Sequence, residues 1–393
     1  MKKLNNRFWW ALVIFGLMGQ VAWTIENMYF NVFIYKMFHA TAVHISIMVG
    51  ASAFVATVTT ILIGTLSDYI SKRKLIICGG YIAWGISILA FAFIRMDILT
   101  AVTGSTIAAA SMGITLVIAM DCVMTFFGSS ANDASFNAWL TDWGNDSNRG
   151  KIEGVNAMMP LVSILVVFGS FMAFNLDKAE SWTTIYVIIS CSVLAIGVLG
   201  FFLIEDKSTE NSNSGSINDK EEKLSYWAFV FYSFRPSVVK QNFLLYLVIG
   251  AMALFNICIQ IFMPYLILYY EKGLQMSNYI LVMAPAILIS SIITAFYGKV
   301  YDMAGFKIAV LPPVAFLMTG TILLFICKNT IPVFIGSLLL MTGILTGGAI
   351  FGAMIRTHTP ENKAGQIQGI RIIGQVLIPG IIGPAIGAAV LQN

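Results

Sequence analysis

Three carboxylates, Glu26, Asp121 and Asp133, stand inside stretches of sequence that are otherwise apolar. A charge in such a setting is costly unless it is paired, so it usually faces a ligand, an ion or a water-filled cavity. Each of the three could exchange a proton or hold a cation, and they are the candidates for energetic coupling. Glu26 lies about midway along its apolar run. Asp121 shares a helical stripe with Thr125, Gly128 and Asn132, and Asp133 flanks that stripe near its cytoplasmic mouth. Gln20, Thr24, Asn27 and Asn31 form another stripe. At 100° per residue Glu26 falls well off it, so the two cannot point squarely into one cavity.

A second set of polar residues occurs late in the chain. Asn256 and Gln260 share a helical face just before Pro264, and Gln368, Arg371 and Gln375 share another. With Asn27 and Asn132 from the first part of the chain, Asn256, Gln260, Arg371 and Gln375 are the candidates for lining a solute cavity. Amides suit solute hydroxyls, and Arg371 could grip an anionic group or pair with a carboxylate. Trp23 and Tyr265 could stack on a sugar ring. The competing readings are hydrogen bonding between helices for Asn132, a structural pair or snorkelling to the inner surface for Arg371, and lipid contact or packing for the aromatic rings.

Other chemistry is excluded by the residues present. There is no G-x-x-x-x-G-K-S/T loop for ATP. No Ser/His/Asp set, paired-Asp site or H-E-x-x-H segment is convincing, and Asp121 and Asp133 lie on different faces of one helix, so an enzyme is not expected. Cys78, Cys122, Cys191, Cys258 and Cys327 sit singly in apolar runs, and His39, His44 and His358 are scattered. They offer no metal set, and no cofactor is expected.

The elements that must position these residues follow from composition. Of 393 residues, 58% are hydrophobic and 11% charged, and the mean hydropathy is +0.83. That much apolar surface belongs in a bilayer. Apolar runs cover roughly 8–36, 43–69, 75–95, 98–127, 153–174, 181–204, 243–270, 276–301, 307–327, 331–356 and 366–391. Most reach the ~20 residues that a helix needs to cross hydrocarbon. Helices are the required form, because lipid offers the backbone no partners. The fold class is therefore an all-α polytopic membrane protein.

Lys and Arg set the orientation. With a cytoplasmic N-terminus, all of the 23 basic residues except Lys36, Arg95, Lys178, Lys272 and Lys328 fall on the cytoplasmic side. The net charge of +4 is thus topological and requires no nucleic acid. The plasma (inner) membrane is the expected location, with the first run an uncleaved helix rather than a signal peptide.

A polar stretch, 205–225, divides the chain and reads as a cytoplasmic linker. The aromatic segment Tyr226 to Val239 is too short to span and is expected at the interface. The expected organisation is a first bundle over 1–204, linker and interfacial segment over 205–241, and a second bundle over 242–393.

Two repeats relate these halves. Gly64-Thr65-Leu66-Ser67-Asp68, followed by Lys72-Arg73-Lys74, is echoed by Gly298-Lys299-Val300-Tyr301-Asp302, followed by Lys307, at an offset of 234. Gly150-Lys151-Ile152-Glu153-Gly154 matches Gly365-Gln366-Ile367-Gln368-Gly369 at an offset of 215. The difference places an insertion near Ile98 to Ser111, before a fourth helix near 113–142. The same offset puts the partner of the sixth helix beyond Asn393. The expectation is two pseudo-symmetric six-helix bundles with helix 12 missing from this chain.

This organisation, with its G-x-L-S-D motif and basic turn, resembles the major facilitator superfamily. Leu17 to Asp68 and Gly365 to Gly387 resemble, more weakly, its glycoside-pentoside-hexuronide:cation symporters, whose paired helix-2 Asp residues are here Ala56 and Thr60. The resemblance implies a cytoplasmic gate at Gly64, Leu66, Asp68, Arg73, Gly298 and Asp302. Helix 11 would be the partner of Asp68 and helix 5 that of Asp302, with Arg149 as a charge partner for Asp68. It further implies a monomeric secondary transporter working by alternating access: proton- or cation-coupled symport of a small polar solute such as a sugar. The alternatives are proton-coupled export of amphipathic compounds and a non-transporting sensor or scaffold.

Overall fold

The computed structural model describes residues 5–70, 72–143, 149–206, 234–276, 278–359 and 369–392. Within these ranges the side chains of Asp68, Arg149, Asp302 and Arg356, among others, lie outside the description.

The described chain is helical throughout. In order it forms α1 (Asn6–Phe38), α2 (Ala42–Ile70), α3 (Arg73–Phe91), α4 (Met96–Thr103), α5 (Thr106–Trp143), α6 (Arg149–Phe171), α7 (Ala179–Leu203) and α8 (Pro236–Gln241). Then follow α9 (Phe243–Gly273), α10 (Ile280–Ala309), α11 (Leu311–Ile326), α12 (Thr330–His358) and α13 (Gly369–Gln392). Among the described residues nine helices are long and apolar enough to cross a membrane. The bent pair Met303–Ala309 and Leu311–Ile326, which meet at 44°, makes a tenth, and Val155–Phe171 is a shorter apolar helix.

Local chemistry sets several boundaries. Gly104, at φ 70°, ends α4, and the Ser105 side chain accepts a hydrogen bond from the Ala108 N–H at the start of α5. A left-handed backbone costs glycine no Cβ clash, and serine satisfies a donor that the helix start leaves open. The short outer insertion is therefore a helix of its own, and α5 begins at Thr106, earlier than expected. Gly305, at φ 73°, interrupts α10 beside the second copy of the motif.

Helix pairing repeats between the halves. In the first, α1 packs on α6, α2 and α3 both pack on α5, and α3 packs on α7. In the second, α9 packs on α13, and α10 and α11 both pack on α12. Among the described residues α1 and α2 both touch α9 across the halves, and two further pairs cross between them, α2 with α13 and α6 with α10. These two pairs are the same contact seen twice under the internal symmetry. Small residues permit the first crossing: a Cβ on Gly380 of α13 would lie 2.5 Å from the Cβ of Ala53 on α2. Backbones approach this closely in lipid only where side chains are absent or small.

Of the segment expected at the interface, residues 226–233 lie outside the description. Its end forms α8, started by Pro236 at the first helical position.

Candidate functional site

Both helices that carry the candidate carboxyls contain a wide turn. Ile25–Phe30 in α1 and Ser129–Phe136 in α5 are π-helical, a geometry that frees main-chain groups and is frequent at functional sites. Side chains repair the second of these turns. Ser135 donates to the Ser130 carbonyl at 2.8 Å and Asn137 to the Asn132 carbonyl at 3.3 Å, each reaching five residues back. The run of small polar residues Ser129, Ser130, Asn132, Asp133 and Ser135 was the sequence signal for this widening, but hydrophobic periodicity does not register it.

Glu26, in the first wide turn, is buried and accepts a hydrogen bond from Thr125 of α5 at 2.9 Å. Asp121, one turn before Thr125, is also buried and faces Ser52 of α2. Among the described residues, Glu26 Oε2 and Asp121 Oδ1 find no hydrogen-bond partner. Two buried carboxyls thus lie in the packing between α1, α2 and α5, each with one oxygen that has no hydrogen-bond partner among the described residues. Carboxyl oxygens placed in this way have the chemistry to hold a proton or a small cation. Asp133 is half-buried, accepts from Ser129 at 3.1 Å and lies beside Trp23. No group of three His, Cys, Asp or Glu among the described residues has metal-binding geometry.

The two stripes of α1 separate as their angles require. Glu26 turns to α5, whereas Asn27 is exposed and donates to the Trp23 carbonyl at 2.8 Å. Thr24 meets Ser163 of α6 at 2.9 Å. Asn132 is buried inside the first half, where its amide donates to the Tyr81 hydroxyl at 2.7 Å and Tyr81 donates to the Phe15 carbonyl at 2.8 Å. That side chain ties α1, α3 and α5 together. Trp23 packs on Trp84, with ring centroids 5.2 Å apart.

In the second half Asn256, Gln260 and Arg371 are half-buried and Gln375 is exposed. A Cβ on Gly383 of α13 would lie 2.5 Å from the Cβ of Gln260 on α9, so α9 and α13 present these polar groups from one close-packed pair. Gln368 lies outside the described residues.

The Gly/Asp motif is partly described. Arg73 is bound by Asp142 at the end of α5, at 2.5 and 3.3 Å, and donates to Ser67 at 3.0 Å. This fork joins the motif to α5, and sequence spacing gave no sign of Asp142 because the pair is 69 residues apart. Leu66 is exposed. Among the described residues, a Cβ on Gly64 would meet only Ala134 of its own half, at 4.0 Å, and one on Gly298 would meet nothing within 4 Å. The side chains of Asp68, Arg149 and Asp302 and the start of the segment before Gly369 lie outside the described residues.

At the end of the helices opposite the Gly/Asp motif, the two halves meet. Tyr279, immediately before α10, donates to Tyr29 of α1 at 3.4 Å, and Phe168 of α6 packs edge-on to both rings. The Tyr265 hydroxyl lies 3.1 Å from the Ala42 carbonyl of α2 and 3.0 Å from that of Pro384 in α13. Lys36 of α1 pairs with Glu271 of α9 at 2.8 Å. None of these cross-half contacts follows from motif or spacing; the Tyr265 hydroxyl bridges the two halves.

A family model of the Major Facilitator Superfamily matches residues 12–384. Among solved structures, the chain is similar to the nucleoside transporter NupG, with a TM-score of 0.70 and 9% identity over 98% of this chain and 91% of that one. It is similar to a bacterial homologue of the human lysosomal transporter Spinster in an inward-facing, unoccupied conformation, with 0.67 and 13% over 97% and 82%. It is also similar to the xylose transporter XylE from E. coli in a partially occluded inward-open conformation, with 0.66 and 13% over 97% and 91%. No curated protein matches.

Proposed function

The chain belongs to the major facilitator superfamily, and on that premise we propose that this integral membrane transporter couples uptake of a small polar solute to a proton or small cation. The observation that carries the coupling is the buried set formed by Glu26, Thr125 and Asp121. A carboxyl that is dry in one state and wet in the other changes its affinity for a cation as the protein cycles, which is the requirement for coupling.

The solute class rests on amides and one guanidinium. Asn27 and Gln375 are exposed, and Asn256, Gln260 and Arg371 are half-buried. Such groups exchange hydrogen bonds with hydroxyls, and a bidentate Arg adds grip on an anionic group. A sugar or sugar acid fits this chemistry better than an amphipathic drug, which calls for a mostly apolar lining. The solute would alternate between sides as two bundles rock about a central site. The contacts between the halves at the Tyr29–Tyr279 end support reading this conformation as one that faces inward. The cytoplasmic N-terminus, the plasma-membrane location and the monomeric state belong to the same proposal.

A thermal-stabilisation screen of sugars, sugar acids and nucleosides, at two pH values with and without sodium, tests it. Stabilisation by a polar solute is expected, and a response to lipophilic cations alone would contradict it.

A further inference from the structure

One ammonium at the outer seam is held by two carboxylates that belong to different halves. Lys36 Nζ on α1 lies 2.8 Å from Glu271 on α9, in the second half, and 3.2 Å from Asp177, in the α6–α7 connection of the first. The side chains of Lys36, Glu271 and Asp177 are 10%, 14% and 75% exposed. The two arms therefore differ in kind. The Glu271 arm is a nearly buried pair, whose rupture would strand a charge. The Asp177 arm is a solvent-exposed pair that adds little to holding the halves together.

Position explains what the weaker arm is for. Tyr29 lies two turns before Lys36 on the same face of α1 and accepts from Tyr279 of the second half, so one stripe of α1 closes the outer seam. When the outer side opens, Glu271 departs with the second half while Lys36 and Asp177 stay together in the first. In the sealed state Asp177 and Glu271 repel one another across the ammonium that they share. Opening relieves that repulsion and leaves Lys36 with a partner already in place.

We propose that Lys36 is the outer latch and that Asp177 takes over its charge as the latch opens. The hand-off rests on the alternating-access reading above. It assigns the two carboxylates opposite effects: Glu271 stabilises the sealed state, and Asp177 favours the open one. A merely structural role, in which both carboxylates fasten Lys36, gives both the same sign.

The test uses the full chain in lipid nanodiscs, with its five cysteines replaced by alanine. Spin labels at Thr184→Cys and Asn278→Cys, both exposed at the outer end on opposite halves, report the outer distance at acidic and alkaline pH. Glu271→Gln is expected to raise the wide-distance population about fivefold, and Asp177→Asn to lower it about threefold, magnitudes in keeping with a buried and an exposed pair. In a Lys36→Met background the Asp177→Asn effect is expected to vanish, which keeps the test informative if one variant is poorly folded. An Asp177→Asn variant that widens the distance, leaves it unchanged, or acts equally without Lys36 overturns the hand-off. One fixed distance in the parent protein under every condition overturns the alternating-access reading itself.

Discussion

Thr125 of α5 donates a hydrogen bond to Glu26 of α1 at 2.9 Å, across 99 positions of sequence. Because Glu26 Oε2 has no partner among the described residues, this is the hydroxyl that holds the carboxyl in orientation. Thr125→Val keeps the shape and removes the donor. It is expected to cost about 1–3 kcal/mol, the usual penalty for stranding a buried polar group, read as a lower melting temperature. Thr125→Ser should restore most of the loss.

The motif glycines give a prediction that separates stability from turnover. A Cβ at Gly298 would meet none of the described residues within 4 Å, whereas a Cβ at Gly320 would lie 2.5 Å from the Leu340 nitrogen. Gly320→Ala should therefore lower the melting temperature clearly. Gly298→Ala should leave it unchanged or raise it, since Ala is favoured over Gly in a helix by about 1 kcal/mol. Gly298→Leu should fold equally well yet cut turnover about tenfold, roughly the effect of 1.4 kcal/mol on a conformational step, because inner closure needs that face. Normal turnover with Leu at this position would remove the gate assignment.

Arg73 binds Asp142 through two nitrogens. A planar fork cannot be replaced by a point charge, so Arg73→Lys should impair transport nearly as much as Arg73→Ala. Asp142→Asn should resemble both, with less than additive loss in the double variant. Full additivity, measured as initial uptake rates, would show that the two residues act separately.

Much of the fold was legible because the bilayer constrains it so tightly. The apolar runs and the unequal Lys and Arg distribution require spanning helices, and the two repeat offsets located the insertion that forms α4 (Met96–Thr103). The pairing of α2 with α13 and of α6 with α10 was an implication of the family resemblance. The site was less legible. Glu26 and Asp121 stood out as buried charges, but their approach through Thr125 and Ser52 depends on the wide turn at Ile25–Phe30, which shifts the face of α1. Asn132 carried the same sequence signal as a ligand-binding amide, yet it donates to Tyr81 within its own half. A polar residue in an apolar helix announces that it needs a partner. Whether the partner is a neighbour or a solute depends on which helix stands opposite, and that is a tertiary fact.

Arg371 provides a test of the solute side. Arg371→Gln should raise KM for an acidic solute at least tenfold, since a charge-assisted bidentate contact contributes about 1.5–3 kcal/mol. A neutral sugar should be affected far less. Equal losses for both would assign Arg371 to structure.

The central claim concerns Glu26. Proteoliposomes with the purified protein should accumulate the stabilising solute when an inward proton or sodium gradient is imposed. Glu26→Gln should abolish that accumulation at least tenfold while leaving exchange of labelled for unlabelled solute intact, because exchange requires no turnover of the coupling ion. Gradient-driven accumulation that survives in Glu26→Gln would contradict the account.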